Sequence, residues 1–95
     1  MPKGYVVVHA EVTDPARWAE YVAKSKIALE KYQGTPLARG GRSQLVEGGG
    51  RPRNVILEFP TFEQAQGYAT SPEYAEAKKL RQGAGVLDMV VVEGV

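Results

Sequence analysis

The sequence predicts one α+β domain of the βαββαβ type, in which a four-stranded antiparallel sheet carries helical segments on one face. Two observations predict this class. Valine-rich segments of alternating polarity open and close the chain, at residues 5–12 and 86–93. Between them, two helical segments with capping residues enclose a pair of strand-like segments. Right-handed crossovers fold this order into one sheet with both helical segments on the same side.

Alternation divides the first strand, residues 5–12, into two rows. One row holds Val6, Val8, Ala10 and Val12, and the other holds Tyr5, Val7, His9 and Glu11. Asp14 followed by Pro15 predicts the start of the first helix, because the carboxylate caps free N–H groups and proline suits the first helical position. Apolar residues follow at helical spacing: Trp18, Tyr21, Val22, Ala28, Leu29 and Tyr32. Gly34 and Pro36 end this helix.

Two further strands are predicted to form a hairpin. Residues 37–47 read as a less regular strand, and Gly40-Gly41 in its middle indicates a bulge or a close backbone approach. A turn of three glycines and Pro52 leads to residues 54–59, the third strand.

The second helical segment is predicted to be split. Thr61 and Gln64 match a capping box. Ser71-Pro72 restarts the helix by the same logic as Asp14-Pro15. The restarted piece is lined by Tyr74, Ala77 and Leu80, ends at Gly83 and Gly85, and leads to the last strand, residues 86–93.

Composition is that of an ordinary globular domain spanning residues 1–95, with 43% hydrophobic and 24% charged residues. A net charge of +1, from 12 basic and 11 acidic residues, is too balanced for a nucleic-acid binder. Cysteine is absent, which excludes disulfides, thiolate metal sites and cysteine nucleophiles. No apolar run approaches the roughly 20 residues needed to cross a bilayer, and no signal peptide is recognisable. We expect a cytoplasmic protein with no membrane partner.

The face of the sheet away from the helices, which we call the bare face, is predicted to be apolar. It should carry Tyr5, Val7, Ile56 and one row of the last strand. Monomers rarely expose such a patch, so we expect a two-fold homodimer that buries two of these faces together.

Five short segments carry a resemblance to a known family. They are Glu11-Val12-Thr13-Asp14-Pro15, Arg39-Gly40-Gly41, Arg51-Pro52-Arg53, Glu58-Phe59-Pro60 and Ser71-Pro72-Glu73-Tyr74. In this order and spacing, the chain resembles the family catalogued as domain of unknown function 1330, within the dimeric α/β-barrel superfamily. The resemblance implies a ferredoxin-like fold and a homodimer. Related dimeric barrels include cofactor-free monooxygenases, lactone isomerases and haem-degrading proteins, so the fold does not select a reaction.

His9 and Glu58 are the candidate catalytic residues. His9 is the only histidine, and it belongs to the row of β-strand residues that should lie on the bare face. Glu58 alternates with residues that should face the helices, so it should lie on the bare face too. Because the first and third strands are neighbours in this fold, the two side chains could be close, and a carboxylate would orient the imidazole. The structural alternatives are a hydrogen-bonded or interface histidine, and an ion pair between Glu58 and an arginine.

Arg39, Tyr74 and Arg81 are the candidate ligand-binding residues. The two glycines after Arg39 leave room for a ligand, and a guanidinium suits a carboxylate or an enolate oxygen. Tyr74 and Arg81 lie about two helical turns apart and could reach a ligand oxygen. The alternatives are a salt bridge for Arg39, to Glu58 for example, and core packing for Tyr74.

The leading interpretation is a small-molecule site without cofactor or metal. The ligand would be a small organic molecule, with anions among the candidates. An isomerase or monooxygenase-like reaction would use His9 or Glu58 as the base beside a carbonyl, while Arg39 holds the oxyanion. The alternative is a non-catalytic binding or interaction module whose polar residues are structural. The glycine turn before Arg51 opens no helix and therefore is not a phosphate loop.

Overall fold

Seven elements follow one another in residues 2–95, the part of the chain that the computed structural model describes. They are β1 (Gly4–Val12), α1 (Pro15–Lys31), β2 (Thr35–Arg39), β3 (Arg53–Phe59), α2 (Phe62–Thr70), α3 (Pro72–Leu80) and β4 (Gly85–Glu93). The strands form one antiparallel sheet in the order β2-β3-β1-β4. The predicted βαββαβ class and the split second helix are therefore confirmed.

Each helix begins at the residue that the sequence indicates. The Asp14 carboxylate accepts a hydrogen bond from the backbone N–H of Arg17 at 3.2 Å. Thr61 Oγ1 accepts from the N–H of Gln64 at 3.1 Å. Ser71 Oγ accepts from the N–H of Tyr74 at 3.0 Å. These caps satisfy N–H groups that have no partner within their helices.

The second strand is much shorter than predicted. Pairing with β3 stops at Arg39, and the expectation of a strand over residues 37–47 is wrong beyond that point. Gly40 donates its N–H to the Asn54 carbonyl at 3.0 Å and then turns the chain away with φ +71°. The irregularity of this strand lies between Pro36 and Ala38, not at the glycines.

The helices cover one face of the sheet unevenly. The backbone of α2 comes close to β1, β3 and β4, whereas α1 lies beside α3 and packs on the sheet through side chains such as Trp18 and Leu29. Gly4 permits the close approach of α2, because a methyl group there would lie only 2.6 Å from Phe62 Cα. A space remains between part of α1 and the sheet.

The other face of the sheet is bare, as the alternation predicts. Its exposed apolar side chains include Ile56, Val86, Val90 and Val92. The row of Val6, Val8 and Ala10 faces the helices and is buried. Within residues 2–95, no helix has both the length and the apolar character that a membrane span requires.

Candidate functional site

A cavity of about 60 Å³ occupies the space between α1 and the helix-covered face of the sheet. One side of α1 lines it, with Trp18, Tyr21, Val22, Ser25, Lys26 and Leu29. The spacing of these residues places them on one helical face. The opposite wall comes from all four strands: Val8, Ala10, Arg39, Arg53, Val55, Leu57, Leu87 and Met89. Tyr68 of α2 completes the lining, and we call this space the α1 cleft.

The interior of the α1 cleft is apolar and aromatic. Trp18 and Tyr21 pack edge to face, with ring centroids 5.2 Å apart. The Tyr21 hydroxyl is hydrogen-bonded to the Tyr74 hydroxyl at 2.8 Å. Burial raises the pKa of Tyr21 and of Tyr68 well above the ordinary value of 10.0. Both phenols therefore stay neutral near pH 7, and neither supplies a base.

Three cationic side chains are among the residues that line the α1 cleft. They are Lys26 from α1, Arg39 from β2 and Arg53 from β3. Lys26 and Arg39 are exposed, and Arg53 is half-buried. The residues that line the cleft include no carboxylate and no histidine. The solvent-exposed opening of the cleft, which we call the mouth, is thus positively charged. No acidic side chain among the lining residues neutralises it.

Gly40 determines where the Arg53 side chain can lie. A methyl group on Gly40 would be only 2.9 Å from Arg53 Cζ, so the guanidinium lies against the glycine backbone. No comparable neighbour is found at Gly41, where a methyl group would meet nothing within 4 Å. The sequence predicts room for a ligand beside Arg39, at the two glycines. At Gly40, the Arg53 guanidinium occupies that room.

Arg39 projects toward the helices and away from Glu58. It pairs in register with Val55, which packs against the core. Glu58 pairs with Tyr5 and shares the bare face with it. The suggested ion pair between Arg39 and Glu58 is therefore wrong, because the sheet separates the two side chains.

Glu58 interacts with two side chains at the start of β1. Lys3 Nζ lies 3.2 Å from Glu58 Oε1, and the Tyr5 hydroxyl donates to Oε2 at 3.1 Å. The hydrogen bond to Glu58, more than partial burial, raises the pKa of Tyr5. The expected ion pair at Glu58 thus exists, but with a lysine in place of an arginine.

His9 and Glu58 share the bare face, as predicted, but they are not close. In the register of β1 and β3, His9 lies opposite Asn54, and Asn54 is four residues before Glu58 on β3. Four residues correspond to about 13 Å along a strand. His9 Nδ1 contacts Asn54 Oδ1, and Asp88 lies opposite His9 on β4, where it pairs with Arg51. A polar row therefore crosses the bare face, on the other side of the sheet from the α1 cleft.

Tyr74 and Arg81 lie behind the α1 cleft and do not line it. Tyr74 is buried and bonded to Tyr21, which agrees with the core-packing alternative. Arg81 stacks its guanidinium over the Tyr21 ring, 5.5 Å from the centroid. Both residues support Tyr21 from the side of α3. Of the candidates named from sequence, the structure places only Arg39 in the cleft.

Sequence reasoning missed Lys26 and Arg53, although patterns for both were present. Lys26 lies eight residues after Trp18 and so repeats its helical face. Arg53 alternates with Val55 and Leu57, which puts it on the helix side of β3. Among residues 2–95, no group of three histidine, aspartate or glutamate side chains is arranged to hold a metal ion.

Comparison with known proteins places the chain in a family and among solved folds. The family described as "Domain of unknown function (DUF1330)" matches residues 3–95. RPA0582 of Rhodopseudomonas palustris, a protein of unknown function, superposes with a TM-score of 0.75 and 17% identity, over 99% of this chain and 83% of that one. No curated protein matches the sequence.

Two more distant structures share the fold. SnoaB of Streptomyces nogalater, a cofactor-independent oxygenase, has a TM-score of 0.62 and 10% identity, over 97% of this chain and 92% of that one. A dimeric protein of unknown function and ferredoxin-like fold from Bacteroides fragilis has a TM-score of 0.55 and 17% identity. The superposition covers 96% of this chain and 95% of that one. At these identities, the likeness establishes the ferredoxin-like fold alone.

Proposed function

This chain belongs to the DUF1330 family, and we propose that it is a homodimeric protein that binds a small organic molecule in the α1 cleft. The observation that carries the proposal is the cavity of about 60 Å³ behind a charged mouth. Ligand sites are typically apolar concavities with a few polar groups in fixed positions. The α1 cleft is such a concavity, with an apolar interior and three cationic side chains in its lining.

Binding is supported better than acid–base catalysis in this cleft. Proton abstraction beside a carbonyl needs a base within hydrogen-bonding reach of the substrate. The lining offers neutral phenols and cationic side chains, with no carboxylate or imidazole. For His9 or Glu58 to act as a base, a substrate would have to bind on the bare face instead. SnoaB is a cofactor-independent oxygenase of the same fold, and the α1 cleft is where a related activity would be sought.

The homodimer is supported by the character of the bare face. Ile56, Val86, Val90 and Val92 form an exposed apolar surface there. The loop between β2 and β3 extends it with Leu45 and Val46, which are also exposed. A small domain has a thin core, and covering this surface with a second copy would stabilise it. The lack of cysteine fits the cytoplasm as the compartment, where disulfides are rare.

Trp18 provides the test, because it is the only tryptophan and it lines the α1 cleft. A library of small organic molecules is screened for changes in its emission. Val22→Phe fills the cleft from α1 and should abolish the changes. Ile27→Phe is the matched control, since Ile27 lies on the same helix, is 57% exposed and does not line the cleft. Responses that survive Val22→Phe would refute the assignment of the site.

A further inference from the structure

We infer that the ligand of the α1 cleft is a compact apolar carboxylic acid, whose single carboxylate is held at the mouth by Arg39 and Arg53. This inference rests on the proposed binding function and adds the chemical class and the orientation of the ligand. The apolar body would lie inward, between Trp18 on α1 and Met89 on β4. The carboxylate would point outward to the two guanidinium groups.

The charge at the mouth is the first argument. Lys26, Arg39 and Arg53 line the same cleft, yet none of them takes part in an ion pair within residues 2–95. Like charges brought together disfavour one another, and a bound anion offsets that repulsion. The cluster therefore complements an acidic ligand better than a neutral or a basic one.

The placement of the two arginines is the second argument. Arg39 pairs with Val55, so Arg39 and Arg53 are diagonal neighbours on adjacent strands and project from the same face. Diagonal neighbours lie about 7–8 Å apart at the backbone, which lets two long side chains converge on one anion. A planar guanidinium matches a carboxylate with two parallel hydrogen bonds.

Gly40 is the third argument and acts as a positioning residue. Its φ of +71° is a conformation that residues with a side chain rarely adopt. The space above it is filled by the Arg53 guanidinium, which a methyl group would displace. A glycine here turns the chain out of β2 and also keeps Arg53 at the mouth.

The interior restricts the rest of the ligand. A volume of about 60 Å³ corresponds to roughly five water-sized spheres, so the apolar body of the ligand is compact. Ser25 Oγ already donates to the Val22 carbonyl, and the Tyr21 hydroxyl is paired with Tyr74. A second charged group would be buried with no opposite charge beside it, at a high cost. The ligand is therefore a monocarboxylate and not a dicarboxylate.

A carboxylate fits this mouth better than a phosphate. Phosphate sites commonly use the N–H groups of a helix N-terminus. At the start of α1, the N–H of Arg17 is already bonded to the Asp14 carboxylate, which would also repel a phosphate. The anion would therefore be held by side chains and not by the start of α1.

Benzoate and benzamide test the inference, because they share one shape and differ in charge. Each is titrated into the wild-type protein at low ionic strength while the emission of Trp18 is followed. Benzoate should bind at least about tenfold more tightly than benzamide, since hydrogen bonds to charged groups are the stronger ones. Phenyl phosphate, titrated in the same way, should bind more weakly than benzoate. Tighter binding of phenyl phosphate would overturn the carboxylate assignment.

Variants at the mouth locate the carboxylate. Arg39→Met and Arg53→Met should each weaken benzoate binding about tenfold or more and leave benzamide binding unchanged. Gly40→Ala should act in the same direction by displacing Arg53. Arg42→Met is the control, because Arg42 is an exposed loop arginine that does not line the cleft.

The outcomes separate this inference from the proposed function. Equal binding of benzoate and benzamide, lost in Val22→Phe, would overturn the carboxylate and retain the binding site. Unchanged benzoate affinity in both arginine variants would do the same. No emission change with either compound at millimolar concentration would count against both, because the two compounds are compact and differ only in the charge that the inference invokes.

Discussion

The hydroxyl groups of Tyr21 and Tyr74 form a hydrogen bond of 2.8 Å that joins α1 to α3. Both side chains are buried, and their rings pack edge to face with centroids 6.1 Å apart. Arg81 lies over the outer part of this pair, 5.5 Å from the Tyr21 ring centroid. The contact joins α1 to its neighbouring helix, and Tyr21 also lines the α1 cleft.

Replacing Tyr74 by phenylalanine should lower the free energy of unfolding by about 1–3 kcal/mol, because the buried Tyr21 hydroxyl loses its partner. Urea unfolding of wild type and variant measures the difference. Tyr32→Phe is the control: Tyr32 is half-buried, and its hydroxyl makes no hydrogen bond within residues 2–95. A Tyr74→Phe protein as stable as wild type would show that the hydroxyl pair does not hold α1 in place.

The ion pair between Lys31 and Glu73, which also joins α1 to α3, should give a pH-dependent contribution to stability. The hydrogen bond from Lys31 lowers the pKa of Glu73, and the same bond raises the pKa of Lys31. The contribution is therefore fully present between about pH 4.5 and pH 10.5, the ordinary values of the two groups. It is lost as pH falls through the lowered pKa of Glu73, or rises through the raised pKa of Lys31.

Comparison of Glu73→Gln with wild type checks this dependence by thermal unfolding across a range of pH. The melting temperatures should differ at pH 7 and converge in acid. Glu76→Gln is a matched control, since Glu76 pairs with Lys79 within α3 and links no two elements. A Glu73→Gln difference that is constant from pH 7 into acid would contradict the assignment of the effect to this carboxylate.

Arg39→Met should leave the stability of the ligand-free protein unchanged or slightly higher. Arg39 is exposed and forms no ion pair within residues 2–95, so its removal leaves no carboxylate without a partner. Chemical denaturation tests this. A loss of about 3–5 kcal/mol, the cost of leaving a buried charge unpaired, would mean that Arg39 is structural.

The sequence predicts which side chains of a strand share a face of the sheet. It does not predict which residues of two neighbouring strands lie opposite each other. Alternation correctly put His9 and Glu58 on one face, because side chains in a strand have a period of two. It did not say which residue of β3 lies opposite His9, since register depends on the connecting turn and on packing across the sheet. Glu58 therefore lies beside Lys3, far from His9.

The cleft was harder to predict than the fold because its lining residues come from elements that lie far apart in the chain. Helix caps are local, and those of Asp14, Thr61 and Ser71 could be identified from a few neighbouring residues. The α1 cleft is instead lined by residues of α1, α2 and all four strands, which lie far apart in the chain. The short β2 also involves a distant residue, because Gly40 leaves the sheet where the Arg53 guanidinium lies against it.

Val90→Lys should convert the proposed homodimer to a monomer. Val90 is 58% exposed on the bare face, and a lysine there would bury a charge between two sheets. Sedimentation at micromolar concentration distinguishes the 10.3 kDa chain from its dimer. Ile27→Lys is the control, because Ile27 has a similar exposure on α1. A wild-type protein that sediments as a monomer would contradict the dimer at once.

Met89 and Val90 allow the most direct test of where the ligand binds, because they are adjacent on β4 and face opposite sides of the sheet. Met89 lines the α1 cleft, and Val90 lies on the bare face. Nuclear Overhauser effects are measured between the ring protons of bound benzoate and the methyl groups of both residues. The account predicts contacts to Met89 and none to Val90. Contacts to Val90 without Met89 would place the ligand on the bare face and contradict the α1 cleft as the binding site.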